Sequence, residues 1–302
     1  MAYSVPFTVD SAHQDSATGL VLYRIRVPVS ATTNAHEGPT IRYLTASSPP
    51  KGASNSIPDD RGRNLSFETV PAGDWNLSHL ATTSDGTKFV LASTETSSLD
   101  KSVGLLDAGT TWHDTQFDLV HLLDAFYAQR KLHPDNNDTC AAANIQCSGH
   151  VNAAVLPSPF NPNHPSAQDK VIGIWAWQPG LTYGIANETH IYYLLRARGD
   201  PGLAARFLGH ITDDATRVVG FLLEHVVGAR HAGPGDLDKC REALRRLHAA
   251  GVAYGPSLRR ESFLVTIEGS VLLQGFGGAF ETDEEEVFVA ELGGLEEVLA
   301  QV

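Results

Sequence analysis

Little in this chain points outside the cell, into a membrane or onto a nucleic acid. Cysteine is scarce: Cys140, Cys147 and Cys240 are the three in 302 residues. An odd and small number builds no disulfide framework. Basic residues number 22 against 35 acidic ones, the net charge is -13, and no basic run occurs. Nucleic acid is therefore not an expected partner. No window approaches the roughly 18 apolar residues that a membrane span needs, so no membrane span is expected. Met1 to Val5 shows no basic segment followed by an apolar one, and no secretory signal is read there. The expectation is a soluble, cytoplasmic protein. The N-x-S/T triplets at Asn64, Asn76, Asn137 and Asn187 are then chance matches. His133, Cys140, Cys147 and His150 fit no standard zinc spacing, so no metal site is expected.

What is present is apolar material, 42% of the chain, enough for a sizeable core. The acidic excess is partly one run between Glu281 and Glu286, which reads as a solvated face. Gly19 to Val27 alternates like a strand, and Lys88 to Ala92 is a shorter strand. Phe117 to Arg130 carries Leu119, Leu122, Leu123 and Phe126 at helical spacing. Asp118, within it, has no evident partner. Val151–Leu156 and Lys170–Trp177 read as two antiparallel strands joined by a proline-rich connection. Asn187-Glu188-Thr189 opens a helix that Gly199-Asp200-Pro201-Gly202 stops. Val218 to Glu224 is a buried strand. Asp236 to Ala250 is a helix with Leu237, Cys240, Ala243, Leu244 and Leu247 as its apolar stripe, which makes Cys240 a core residue. Ser262–Val265 and Ser270–Leu273 pair around Glu268-Gly269, and a last helix runs from about Asp283 to Leu299. The order of elements is α+β.

Several stretches carry a resemblance. Ala243 to Val252 is similar to the helix before a kinase catalytic loop. Tyr254-Gly255-Pro256-Ser257-Leu258-Arg259-Arg260-Glu261-Ser262-Phe263-Leu264-Val265 lies where such kinases have H-G-D-x-x-x-x-N-F-L-V. Leu272-Leu273-Gln274-Gly275-Phe276-Gly277 lies where they have D-F-G, and Glu188 stands at the helix-C glutamate. Pro71 to Asn76, Thr111-Trp112-His113, Arg206 to His210 and Gly220 to Glu224 resemble a fungal kinase-like family whose members often carry the label "α-galactosidase". Nothing in the sequence supports a glycosidase, for no credible pair of catalytic carboxylates occurs. The resemblance runs from about Val21 to the end. It implies a protein-kinase-like two-lobe fold, with a β-rich N-terminal extension and N-lobe over 1–224. Residues 225–302 would form an abbreviated C-terminal lobe, since few residues follow the D-F-G position.

The same positions argue against phosphoryl transfer, which needs a lysine on the phosphates, a base, and ligands for magnesium. Val171 to Trp177 contains no lysine, and Lys170 comes too early. The catalytic aspartate would fall at Pro256 or Ser257. Ser262 replaces the asparagine ligand, Gly275 replaces the metal aspartate, and no G-x-G-x-x-G precedes the lysine strand. The replacements are apolar, aromatic or amide groups. Strand alternation points either Trp175 or both Ile174 and Ala176 toward the former nucleotide cleft, with Trp177 on the face of Trp175. Trp175 and Phe276 serve as core or as ligand contacts. Glu188 is either solvated at a helix N-terminus or buried, neutral and able to donate a proton. Arg259 and Arg260 bind a carboxylate or face solvent.

The function expected is a pseudokinase whose cleft binds an apolar small molecule, as a cofactor-independent cyclase or pericyclase of the Diels-Alderase type in fungal specialised metabolism. Glu188 and Tyr254 would be its catalytic groups. Trp175, Trp177, Ser257, Ser262, Gln274 and Phe276 would contact substrate. A non-catalytic binding or scaffold protein and a residual phosphotransferase are the alternatives.

Overall fold

The computed structural model describes residues 4–14, 21–27, 40–46, 69–72, 75–84, 89–96, 111–132, 152–160, 170–176, 182–213 and 217–301. Trp177, His133, Cys140, Cys147 and His150 lie outside them, as do Lys88 and Val151 at the starts of two expected strands. The chain divides into two compact units, Met1–Ser102 and Val103–Val302, and its fold is α+β.

The first unit is made of strands. β1 (Ser4–Pro6) pairs antiparallel with β5 (Thr69–Pro71). β2 (Thr8–Gln14), β3 (Val21–Val27), β4 (Thr40–Ala46), β6 (Leu77–Thr82) and β7 (Phe89–Glu95) form one sheet in the order β2-β3-β4-β6-β7. β4 and β6 run parallel, and the other neighbours run antiparallel. Val21, Tyr23, Ile25 and Val27 alternate along β3 and enter a core with Leu44, Val70, Trp75, Leu80 and Phe89. That alternation is the period of a half-buried strand. Trp75 donates its indole N–H to the Pro71 carbonyl at 2.8 Å, which gives the ring a satisfied polar edge.

The second unit is built on a five-stranded sheet. Its strands are β8 (Gln116–Asp118), β9 (Asn152–Pro157), β10 (Lys170–Trp175), β11 (Phe207–Asp213) and β12 (Arg217–Glu224). Their order is β8-β11-β12-β10-β9, with β8 parallel to β11 and the rest antiparallel. Helix α1 (Leu119–Leu132) follows β8, and helix α2 (Thr182–Ala197) lies between β10 and β11 in the chain. After the sheet come β13 (Arg230–His231), α3 (Leu237–Ala249), β14 (Val252–Ala253), the hairpin β15 (Phe263–Val265) and β16 (Val271–Leu273), β17 (Phe280–Glu281) and α4 (Glu285–Ala300). β14 pairs with β17, which brackets the segments on either side of the hairpin.

One continuous core unites this unit. It joins Phe207, Phe221 and Leu223 of the sheet to Ile191, Tyr192 and Leu195 of α2, Cys240, Leu244 and Leu247 of α3, and Leu295 and Leu299 of α4. The boundary expected after Glu224 therefore falls inside a single unit, because apolar groups from both sides of it pack together. Thr111 to His113 also join this core's rim. The Trp112 indole donates to the Thr189 carbonyl at 3.0 Å and lies 4.6 Å from the Phe207 ring, while the His113 N–H donates to His210 Nε2.

Two helix starts differ from the sequence reading. Phe117 belongs to β8, and α1 begins at Leu119 because the Asp118 carboxylate accepts the Val120 N–H at 2.8 Å. Asp118 thus has a partner. Helix α2 begins at Thr182, so Asn187 and Glu188 sit within it rather than at its start. Its end is as expected: Gly199 is left-handed at φ 86°, and the Asp200 N–H returns to the Leu195 carbonyl at 2.9 Å.

Gly220 is fixed by close approach. It faces Trp175 across β10 and β12, and a Cβ there would lie 2.1 Å from the Ile174 carbonyl oxygen and 2.7 Å from the Trp175 Cα. Backbone cannot move aside without breaking the ladder. Gly220→Ala is expected to destabilise the second unit by about 2–3 kcal/mol or more, read as a lower urea midpoint. An unchanged midpoint would show that the strands separate at no cost.

Candidate functional site

The residues singled out in the sequence meet where α2 faces the turn after β16. That turn opens at Gly275, left-handed at φ 73°, and continues as a 3-10 turn, Phe276–Gly278. A left-handed residue followed by right-handed ones turns successive N–H groups toward one point, the usual cradle for an anion. The Glu188 carboxyl lies beside this turn, its Oε2 3.8 Å from where a Cβ on Gly277 would stand. Its neighbour Asn187 donates from Nδ2 to the carbonyls of Phe276, Gly277 and Ala279, at 3.1, 3.2 and 2.5 Å. One helix amide thus takes three acceptors of the same loop, with the Glu188 carboxyl beside it.

Glu188 is 7% exposed. Burial pushes its carboxyl up to about 7. Among the described residues no cationic side chain offsets the charge. Of the two readings of Glu188, solvated or buried, the structure has the buried one. Tyr192, one helical turn on, is pushed well above the ordinary phenol range by burial and then by Glu188. Its hydroxyl is buried without a hydrogen-bond partner.

Tyr254 and Phe276 are fully buried and stacked, with ring centres 5.4 Å apart and planes at 16°. Phe276 also meets Tyr192 edge-on at 5.4 Å. The Tyr254 hydroxyl donates to the Gln274 carbonyl at 2.8 Å. The remaining polar candidates are used in the same way. Ser257 donates to the Tyr254 carbonyl at 2.6 Å, and Ser262 accepts the Arg259 N–H at 3.2 Å. Gln274 donates its side-chain amide to the Glu261 carbonyl at 2.7 Å and its backbone N–H to the Ser262 carbonyl at 3.0 Å. Arg260 donates to the Gln301 carbonyl at 3.1 Å, while Arg259 is exposed.

Trp175 stands apart from this group. Ile172, Ile174 and Ala176 join the core that holds Tyr254 and Phe276. Trp175 takes the opposite face of β10, its ring reaching over Gly173 beside Leu156 and Leu222. Glu188, Tyr254 and Phe276 are brought together, with Ser257, Ser262 and Gln274 in the surrounding loops. Among the described residues no group of three or more His, Cys, Asp or Glu could hold a metal ion, and no helix is long and apolar enough to cross a membrane.

Sequence reasoning missed two anchors. Asn187 reads as a helix opener but binds the loop. Glu291, buried in α4, accepts the Gly255 N–H through Oε1 and meets His248 Nε2 through Oε2 at 2.7 Å. Its signal was present: Glu291, Leu295 and Leu299 are the buried positions of α4, four residues apart. A carboxylate in an apolar stripe has a buried partner as a rule.

No family model matches the chain, and no curated protein matches it. Among solved structures it is similar to a divergent kinase that lacks the glycine-rich loop and regulates membrane ultrastructure of the Toxoplasma parasitophorous vacuole. The identity is 17% and the TM-score 0.38, over 50% of this chain and 62% of that one. The chain thus spans about three fifths of that structure, whose membrane role belongs to that protein.

Trp175 and Tyr254 are expected to respond as packed groups. Trp175→Ala should destabilise by roughly 3–5 kcal/mol, and Tyr254→Phe by about 1 kcal/mol through the lost bond to Gln274. Urea unfolding of the two variants checks this. An unchanged midpoint for Trp175→Ala would place the ring in solvent or in an open pocket.

Proposed function

We propose that the second unit is a kinase-like module that has given up phosphoryl transfer and acts as a non-catalytic binding or scaffold element. Several features support the kinase-like reading. A helix with a central glutamate falls between the second and third strands of the sheet run β9, β10, β11, β12. A helix, a loop, a short hairpin and a G-F-G turn then follow in the order such a module requires. The observation that carries the loss of activity is the setting of Glu188. In a phosphate-transferring arrangement this glutamate pairs with a strand lysine that holds the phosphates. Here it is buried with no lysine beside it among the described residues, and the facing side of β10 offers Ile172, Ile174 and Ala176.

The other replacements agree. Ser257 and Ser262 have their hydroxyls bonded to backbone, and Gly275 supplies no carboxylate to magnesium. A pericyclase or other cyclase acting on an apolar molecule would need Tyr254 and Phe276 to face an open cleft. Both are fully buried against each other, and the Tyr254 hydroxyl is engaged. The scaffold reading asks nothing more of these groups than the packing they have.

Differential scanning of the whole chain tests this. ATP with magnesium should leave the unfolding temperature unchanged. Specific binding at one hundred times Kd would stabilise by about 2.7 kcal/mol. A saturable, magnesium-dependent rise would overturn the reading, and turnover of ATP to ADP above background would do the same.

A further inference from the structure

Helix α4 buries one side and leaves the other without a neighbour. Glu291, Leu295 and Leu299 are its buried positions, and Leu292 packs against the core. On the opposite side Val289, Gly293 and Ala300 are exposed, Val289 by 61%. Successive residues of a helix turn by about 100°, so these three share one line along it. Glu285 and Glu296 fall on one flank of that line, and Glu286 and Glu297 on the other. All four carboxylates are exposed, and the ion pairs of the described residues involve none of them. Residues 283–301 contain no lysine or arginine.

The glycines in the middle of α4 sharpen the point. Glycine is the poorest helix former after proline, yet Gly293 and Gly294 stand side by side. A Cβ at either would meet nothing within 4 Å. The packing of the chain on itself therefore does not require them. A bare stretch of helix lets a second helix come close, since the side chains at the contact set the distance between axes.

We propose that this outer face of α4 is the docking surface for a basic amphipathic helix of another protein. The apolar stripe of that helix lies along Val289, Gly293 and Ala300, with a large side chain seated over Gly293. Its lysines and arginines meet the four glutamates on either flank. Charge decides between the occupants. A second copy of this chain would bring the same glutamates against each other, and like charges across a helix pair are unfavourable. An acidic partner is refused on the same ground. A basic helix is drawn in at long range, and its flanking charges are offset on arrival. The surface gives the scaffold reading a class of partner without resting on it, because the exposed side of α4 takes no part in the Glu188 region.

A synthetic helical peptide of leucine and lysine, with leucines at helical spacing and lysines on both flanks, tests this when titrated onto the whole chain. Binding should saturate and weaken steeply with salt. A scrambled peptide of the same composition, and one with glutamate for lysine, should each bind at least about tenfold more weakly. Gly293→Leu leaves every charge in place and fills the notch, and it should lower the affinity by about tenfold or more. Gly293→Ala separates docking from folding. Its methyl group enters open space, so the unfolding temperature should rise while the affinity falls. No binding, equal binding of the scrambled or the glutamate peptide, or an unchanged affinity in Gly293→Leu overturns the proposal. Self-association of the chain that Gly293→Leu abolishes would overturn it as well, by giving the face to a second copy.

Discussion

Asn187, in the middle of α2, holds the 275–279 loop by the carbonyls of Phe276, Gly277 and Ala279. The packing of that region depends on this grip. With the loop fixed, Phe276 is held flat on Tyr254 and edge-on to Tyr192. Tyr254 then reaches the Gln274 carbonyl, and Gln274 in turn holds Glu261 and Ser262. An unheld loop would leave three carbonyls to be satisfied otherwise, each at a cost of about 1–3 kcal/mol if buried. Polar contacts here set the position of the aromatic rings, and the rings supply the burial.

Glu188 is enclosed without a cationic partner among the described residues. An enclosed ion pair needs excellent geometry to offset its lost hydration, and hydrophobic groups of similar volume are often neutral or better. Burial alone raises the Glu188 carboxyl to about 7. The core-facing side of β10 carries Ile172, Ile174 and Ala176, and it belongs to the same core as α3 and α4.

Most of the elements were legible because periodicity reports burial. The stripe of Cys240, Ala243, Leu244 and Leu247, the β15–β16 hairpin and the antiparallel β9–β10 pair all stand where alternation or helical spacing put them. The site was legible in composition rather than in geometry. Position alone brought Glu188, Tyr254 and Phe276 together. The sequence could not tell which side of β10 faces them, because both parities of that strand are apolar, and the register with Phe221 and Leu223 decides it. Asn187 misled because a helix opener and a loop clasp are the same residue type; the difference lies in whether its amide meets its own helix or a distant carbonyl.

Glu188 and Glu291 are both buried carboxyl groups on helices, and their surroundings differ. Glu291 accepts the N–H of Gly255, which is left-handed at φ 56°. A left-handed residue turns its N–H out of the local hydrogen-bond pattern, so a helix carboxylate is a natural acceptor for it. Glu291 also meets the His248 imidazole at 2.7 Å, and that ring is stacked on Phe288 at 4.4 Å. Glu188 has the phenols of Tyr192 and Tyr254 nearby and, among the described residues, no cationic side chain acting on it. Enclosure without such a partner is what raises its carboxyl, while the loop beside it is held by the Asn187 amide.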